Sequence, residues 1–266
     1  MTGPDPLAEA RRQRGNALET FNQLVDGWDE ALSVQRVQGL HGHTFRMCDE
    51  YCESVLLLGQ GSWRLDGDLA AARDWFRRVG AVDGVRGEAL RALAGDASQR
   101  QMWAGLLSAL VLRLLDGDAD NTRAWCATLD ESAFWPPEAL NVNQRPHAAL
   151  TRAMVRLLSG REPADLALPS LRATNLRQDD TAGLACLLGA VANGRFDEVP
   201  ARLQARAAHF RERARSRETA INAWGWGKPA QAMVFDAWGT GIARIGSWKG
   251  MPPPPDTPEH PRVFLA

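Results

Sequence analysis

The chain has 266 residues, of which 45% are hydrophobic and 24% are charged, and its formal net charge is −1. This composition is ample for a folded core and excludes a largely disordered chain. The net charge hides an asymmetry, because residues 1–140 carry 14 arginines and 21 acidic residues (−7), whereas residues 141–266 carry 17 basic and 11 acidic residues (+6). Such a dipole is typical of two solvated faces of one domain and also of proteins that bind a charged macromolecule in a fixed orientation.

The sequence contains no stretch of membrane-spanning length, and residues 1–19 lack the apolar core of a secretory signal. We therefore expect a cytoplasmic protein, in which the four cysteines are reduced. Cys126 and Cys186 each lie within an apolar helical pattern and are predicted to be small core residues.

The N-terminal part of the chain predicts three helices. Residues 5–38 form one amphipathic pattern, which Gly39 and Gly42 end. Residues 44–58 form the first part of a second helix, and the turn around Gly67 leads into a third helix. The side chains of the first helix that are predicted to face the core are Leu18, Phe21, Leu24, Val25, Trp28, Leu32 and Gln35.

The middle of the chain predicts a central helix at 97–115. Asp96 and Gln99 fit a capping box at its start, and its later positions leave few polar side chains to face water. Further helices are predicted at 119–131, 146–159, 163–177, 180–192 and 198–217, the last with a basic exterior.

A glycine recurs between predicted helices, at Gly67, Gly117, Gly160 and Gly194. Glycine readily adopts the left-handed conformation that ends a helix, so these positions indicate helical hairpins. The spacings of 50, 43 and 34 residues fit no fixed repeat, and strand signals are nearly absent. The sequence therefore predicts an all-α single domain over residues 1–250, with about ten helices in an irregular, solenoid-like stack.

The last residues predict an extended tail. Residues 251–266 include six prolines, which favour an extended backbone. We expect Val263, Phe264 and Leu265 to dock this tail against the helices.

Residues 221–250 contain four of the ten tryptophans and a C-terminal helix predicted from Ala230 onward, with Pro229 in its first turn. Glycines on the apolar face of this helix indicate that another helix crosses it closely. Asp236 lies among apolar residues and has two interpretations. It either makes a structural hydrogen bond or belongs to a recognition surface with Trp224, Trp226 and Lys228.

Searches for catalytic and metal-binding motifs give weak matches. His41, His43, Cys48 and Cys52 have metal-ligating side chains, but their spacing matches no established zinc module, and the cysteines fit an apolar helix stripe. An incomplete calcium-loop pattern after Asp116 is better explained by helix capping. We therefore expect no metal, no cofactor and no enzyme activity.

The six arginines between 202 and 217 are interpreted as a solvated helix face, so no nucleic-acid or membrane partner is expected.

Three segments near the C-terminus resemble a known family. They are residues 233–244 (MVFDAWGTGIAR), residues 249–251 (KGM) and the proline-bearing end, which includes 256–258 (DTP) and 261–265 (PRVFL). The chain is similar here to the all-helical immunity proteins of bacterial polymorphic toxin systems, in particular immunity protein family forty-nine. That family ends in an alanine- and leucine-rich helix with an acidic residue, a glycine closure and a short proline-containing tail.

The resemblance implies a non-enzymatic inhibitor that binds a cognate toxin domain and blocks its active site. The acidic N-terminal portion then offers carboxylates to a basic toxin cleft, and these candidates are Asp26, Asp29, Glu30, Asp49, Glu50 and Glu53. A helical-repeat scaffold for another protein is the main alternative. A second alternative is a metal-assisted hydrolase that uses His41, His43, Asp49 and Glu50.

Overall fold

The computed structural model describes residues 6–94, 98, 100–141, 144–161, 179–215 and 235–265. The predicted all-α class is confirmed. In these ranges the backbone forms no strand, and its one β-type contact is an isolated bridge between Gln101 and Phe134. Of the helices in these ranges, none has both the length and the apolar character that crossing a membrane requires.

The α-helices follow one another along the chain, and short 3-10 helices lie between some of them. The α-helices are α1 (Pro6–Asp26), α2 (Trp28–Val37), α3 (His41–Asp66), α4 (Leu69–Arg77), α5 (Asp83–Ala94), α6 (Leu107–Asp116), α7 (Ala119–Thr128), α8 (Arg145–Leu158), α9 (Asp179–Ala192), α10 (Val199–Arg215) and α11 (Ala237–Trp248). The 3-10 helices are Arg78–Val82, Trp103–Leu106, Glu131–Ala133, Pro137–Ala139, Phe196–Glu198 and Arg262–Phe264.

The first predicted helix is divided at Gly27. Hydrogen bonds of helical spacing continue through this glycine, since its N–H donates to Gln23 O at 3.2 Å and its carbonyl accepts from Ala31 N at 3.1 Å. Gly27 lies between α1 and α2 and belongs to neither helix, and we call this junction the bend. The second helix begins earlier than predicted, at His41, so Gly42 lies inside α3. The helix α5 was not among the predictions.

The predicted glycine turns are confirmed. Gly67, Gly117, Gly160 and Gly194 have φ between 68° and 93°, the left-handed region. After Gly67 and Gly117 the next residue is an aspartate that caps the following helix: Asp68 accepts from Ala71 N at 2.9 Å. At Gly67 and Gly117, therefore, a glycine ends one helix and a capping aspartate begins the next.

The central helix is shorter than predicted. Residues 98 and 100–102 are not α-helical, a 3-10 turn follows, and α6 begins only at Leu107. The cause is Gln101, whose N–H donates to Ala133 O and whose carbonyl accepts from Trp135 N, both at 2.9 Å. Trp103 then stacks on Phe134 with ring centroids 4.3 Å apart. Nine residues of α6, from Leu107 to Leu115, are buried, as predicted for an enclosed helix.

The C-terminal helix begins at Ala237. The sequence predicted helix from Ala230 onward, and this prediction is wrong at Phe235 and Asp236, which are not helical. Asp236 is the N-cap, and its side chain accepts from Gly239 N at 3.0 Å. The predicted close helix crossing is present at Gly241. A Cβ atom there would lie 3.2 Å from Leu114 Cδ1 of α6, so only glycine fits without displacing that side chain.

The chain after α11 packs back onto the helices. Phe264 is 1% exposed and stacks on Phe235 with ring centroids 5.2 Å apart. Its ring also contacts Phe76 of α4 and Trp63 of α3, at 5.6 and 5.7 Å. One cluster of buried apolar side chains thus extends from Ala17 in α1 to Leu265.

The predicted burial of Cys186 is wrong, and one predicted helix cannot be compared with the structure. Cys186 is exposed, because the buried leucines and Val191 of α9 occupy the inward side of that helix. The predicted helix at 163–177 lies outside the described residues.

We expect Phe264→Ala to destabilise the protein by about 3–5 kcal/mol, because it leaves a cavity among three aromatic rings. Urea unfolding followed by circular dichroism measures this loss. Pro253→Ala, at an exposed position of the same segment, is the control and should lower the free energy of unfolding by about 1 kcal/mol or less, through the unfolded chain alone. Equal stabilities of the two variants would contradict the packing role of Phe264.

Candidate partner-binding surface

Four of the predicted partner-binding carboxylates are exposed around the bend between α1 and α2. Asp26 ends α1, Asp29 and Glu30 lie in the first turn of α2, and Glu50 lies on α3. Glu53, one turn further along α3, is half-buried. None of the three acids at the bend has a salt-bridge partner among the described residues. The sequence therefore identified a set of solvated negative charges in one part of the fold.

An aromatic contact holds these carboxylates near one another. Trp28, the first residue of α2, contacts the ring of Tyr51 at 5.7 Å, and Phe21 of α1 contacts the same ring at 5.3 Å. Tyr51 follows Glu50 directly in α3. Both sides of the bend are thus fixed against the part of α3 that carries the fourth exposed carboxylate.

Exposed aliphatic side chains lie on the same two helices. Leu18 and Val25 were predicted to face the core, but they are 41% and 44% exposed, because α1 turns Ala10, Ala17 and Phe21 inward instead. On α2, Glu30, Val34 and Val37 follow one another at spacings of four and three residues and therefore share a face. Val34 is 48% and Val37 86% exposed, whereas Leu32 faces the core.

We call the exposed side chains of this region the N-terminal face. It consists of Leu18, Val25, Asp26, Asp29, Glu30, Val34, Val37, Leu40 and Glu50. This region therefore combines exposed aliphatic groups with carboxylates that have no salt-bridge partner among the described residues. The aliphatic half of this face was missed from the sequence. The i, i+4, i+7 spacing of Glu30, Val34 and Val37, opposite Leu32, could have indicated it.

Asp49 is not part of the N-terminal face, although it was predicted to offer its carboxylate to a partner. Its side chain is 5% exposed, and Oδ1 has no hydrogen-bond partner among the described residues. Burial raises the pKa of Asp49 to about 7, although the positive charge of Arg86 opposes that rise. Asp49 is therefore a core carboxyl group that is not accessible to a partner in this structure.

The same buried region contains Cys48 and Cys52, the two cysteines whose side chains were considered as metal ligands and interpreted as an apolar helix stripe. Arg86 donates from Nη2 to Cys48 O at 3.0 Å and to Cys52 Sγ at 2.9 Å. Burial raises the pKa of the Cys48 thiol to about 12 and also raises that of Cys52. Among the described side chains, His, Cys, Asp and Glu form no group of three or more that could hold a metal ion.

Asp236 makes structural contacts with two other segments. Arg206 of α10 donates from Nε to Oδ2 at 2.7 Å and from Nη2 to Oδ1 at 2.8 Å. His260 Nε2 lies 2.9 Å from Oδ2. Burial opposes ionisation, but the charge of Arg206 and the hydrogen bonds from His260 and Arg206 outweigh it, so the pKa of Asp236 falls well below its usual range.

These contacts support the structural interpretation of Asp236, which is 4% exposed. The recognition surface proposed around it also required Trp224, Trp226 and Lys228. Those three residues lie outside the described part of the chain.

Comparisons of the chain with protein-family models, with curated proteins and with solved structures give no match. The function therefore has to be argued from the residues and contacts of this chain.

We expect Asp236→Asn to destabilise the protein at pH 7 by about 3–5 kcal/mol, because it removes the negative charge that meets Nε and Nη2 of the buried Arg206. The pKa of Asp236 is lowered by folding, so its stabilising effect is present above the unfolded pKa of about 3.9 and is lost as the pH falls below it. The difference in unfolding free energy between wild type and Asp236→Asn should therefore become smaller at acidic pH. Chemical unfolding at pH 7 and pH 3 measures it.

Asp118→Asn is the matched control, because Asp118 is also an N-cap but is exposed. Asparagine caps helices about as well as aspartate, so this change should have little effect. A gap between wild type and Asp236→Asn that stays constant across the pH range would contradict the ionised role of Asp236.

Asp49→Asn should have the opposite dependence on pH. The pKa of Asp49 is raised by folding, so the folded protein binds more protons than the unfolded chain between about pH 4 and pH 7. Wild type should lose stability relative to Asp49→Asn across this window, by up to about 1.4 kcal/mol per pH unit. Unfolding free energies of wild type and Asp49→Asn, measured at intervals between pH 4 and pH 8, give this slope. A difference between the two proteins that does not change with pH would contradict the raised pKa of Asp49.

Proposed function

We propose that this chain is a non-enzymatic immunity protein, which binds a cognate bacterial toxin domain in the cytoplasm and neutralises it by covering its active site. The observation that carries the proposal is the N-terminal face, where α1, α2 and the adjoining part of α3 carry four exposed carboxylates and several exposed aliphatic side chains. The resemblance of the C-terminal segments to helical immunity proteins supports the same class of function.

The charges of the N-terminal face favour a basic target. Asp26, Asp29 and Glu30 lie within five residues of one another, so their negative potentials add. A toxin that acts on phosphate-containing or other anionic substrates has a cationic cleft, and clustered carboxylates can occupy that cleft in place of the substrate. Attraction of this kind speeds association and orients the two proteins before contact.

The aliphatic side chains favour a stable complex. Val34 and Val37 project from α2 on the same face as Glu30, so a partner that reaches the carboxylates also covers both valines. Removing such groups from water contributes roughly 25 cal/mol for each Å² of apolar surface buried. We therefore assign α2 to the centre of the interface and the carboxylates of Asp26 and Glu50 to its rim.

The proposal is tested by co-expressing this chain with the product of an adjacent toxin reading frame. Protection of growth, together with a complex of the two purified proteins, is expected. A toxin that this chain neither binds nor neutralises would end the immunity assignment. If the chain binds the product without protecting cells, the scaffold alternative takes its place.

Two sets of variants locate the interface. Asp29→Lys combined with Glu30→Lys should lower the association rate about tenfold at low salt and flatten its salt dependence. Val34→Asp combined with Val37→Asp should raise the dissociation rate at least about tenfold. Stopped-flow mixing and biosensor kinetics measure these rates.

The control for both sets is Asp197→Lys, at an exposed site next to α10. All of these positions are exposed, so the variants should fold as wild type does, which circular dichroism checks. If neither set of changes alters binding, the interface lies elsewhere on the protein.

A further inference from the structure

Three arginines converge on one carboxylate at a site far along the chain from the N-terminal face. Glu131 begins the 3-10 helix Glu131–Ala133, Arg152 and Arg156 lie one turn apart on α8, and Arg161 follows the turn at Gly160. Arg152 donates from Nε and Nη2 to Oε2 of Glu131 at 3.0 and 2.9 Å. Arg156 donates from Nε to Oε1 at 2.7 Å and from Nη2 to Oε2 at 2.8 Å.

Arg161 completes the group from the other side. Its Nη1 lies 3.4 Å from Oε1 of Glu131, and its Nη2 donates to the carbonyl of Ala127 at 3.1 Å, near the end of α7. The carbonyl of Leu129 accepts from both of these nitrogens. The position of Arg161 is therefore set by the backbone, independently of Glu131.

The charges of this group do not balance. Glu131 supplies one negative charge to three guanidinium groups, which leaves a formal excess of two positive charges. Close by, Arg100 donates to Ser132 O at 3.1 Å and Asp130 accepts from Ser132 N at 2.8 Å, so these two residues cancel each other. The three arginine side chains are 22–37% exposed, which leaves them accessible to solvent but poorly hydrated.

Donors remain available at the accessible side. A guanidinium has five N–H groups, and Arg152 and Arg156 each direct one edge, Nε with Nη2, at Glu131. The described residues place no hydrogen-bond acceptor against Nη1 of either arginine. Because the two residues are four apart on a helix, their guanidinium groups are held side by side. Glu131 thus fixes two guanidinium groups whose Nη1 donors have no acceptor among the residues that the structure describes.

We propose that Arg152, Arg156 and Arg161, held by Glu131, form a binding site for a phosphate-type oxyanion. The excess of two positive charges matches a dianionic phosphoryl group, and arginine forks bind phosphate oxygens by paired, charge-assisted hydrogen bonds. Glu131 is the permanent counter-ion that keeps the arginines in position when the site is empty. This inference goes beyond the proposed toxin binding and does not depend on it.

The test measures thermal unfolding of the full chain in increasing concentrations of inorganic phosphate, at constant ionic strength. A ligand that binds only the folded protein raises the unfolding midpoint in a saturable way. We expect such a rise with phosphate and none with acetate, which is planar and carries a single charge. Arg152→Gln should weaken the apparent affinity about tenfold.

The Glu131→Gln substitution should change the affinity for phosphate in the opposite direction. Glutamine keeps a side-chain oxygen that accepts hydrogen bonds from the arginines but removes the negative charge that repels the ligand, so phosphate should bind this variant several-fold more tightly than wild type. Arg202→Gln is the matched control, because Arg202 also pairs with a glutamate, Glu198, on an exposed helix. This control should leave phosphate affinity unchanged.

Arg152→Lys keeps the positive charge but loses the paired donors of the guanidinium group. It replaces Arg152→Gln if that variant does not fold, and it should also bind phosphate more weakly than wild type.

The source of the phosphoryl group is distinguished by parallel titrations. Tighter binding of adenosine monophosphate or phosphoserine than of inorganic phosphate identifies part of a larger molecule as the ligand, and equal or weaker binding identifies free phosphate. The proposal is overturned if phosphate has no saturable effect on wild type, if acetate has the same effect, or if Arg152→Gln binds phosphate as wild type does.

Discussion

The buried carboxylate of Asp236 connects segments of the chain that are remote in sequence. Arg206 belongs to α10, thirty residues earlier, and His260 to the C-terminal segment, twenty-four residues later. An ionised carboxylate in a protein interior is tolerated only where charges and hydrogen bonds replace its water. Here it has both, because a guanidinium, an imidazole and the first turn of α11 surround it. Asp236, through His260, and Phe264, through its aromatic contacts, therefore both fix the path of the chain after α11.

Asp49 shows what the same side chain does without such partners. Both aspartates are almost fully buried, yet folding raises the pKa of Asp49 and lowers that of Asp236. Arg86, the cation that acts on Asp49, directs its hydrogen bonds to Cys48 and Cys52, and its charge only partly offsets the cost of burial. Arg206 instead meets both oxygens of Asp236 directly. The direction of each pKa shift thus follows from how strongly a nearby cation and hydrogen bonds oppose the effect of burial.

Local signals in the sequence were sufficient for most of the helices and for the glycine turns, but not for α5, for the starts of α6 and α11, or for the contacts between helices. Gly67 and Gly117 end helices because of their own backbone freedom, and the aspartates after them cap the next helix within three residues. In contrast, the inward side of α1 depends on how that helix sits against α3, so the exposure of Leu18 and Val25 could not be read from spacing alone. The arginine partners of Glu131 come from residues 21 to 30 positions away, beyond the reach of any local pattern.

The N-terminal face lies on the part of the fold that can change with least effect on the core. Apart from contacts with each other, α1 and α2 pack mainly on α3, whereas α6 is enclosed by α3, α4 and α11. Their other ties to the protein include exposed ion pairs, Arg14 with Asp66 and Arg36 with Glu88, which contribute little stability each. Substitutions on the outer side of α1 and α2 therefore leave the buried cluster intact. A protein that must match one particular partner gains from this separation, because its binding surface can vary while Asp236 and the enclosed α6 preserve the fold.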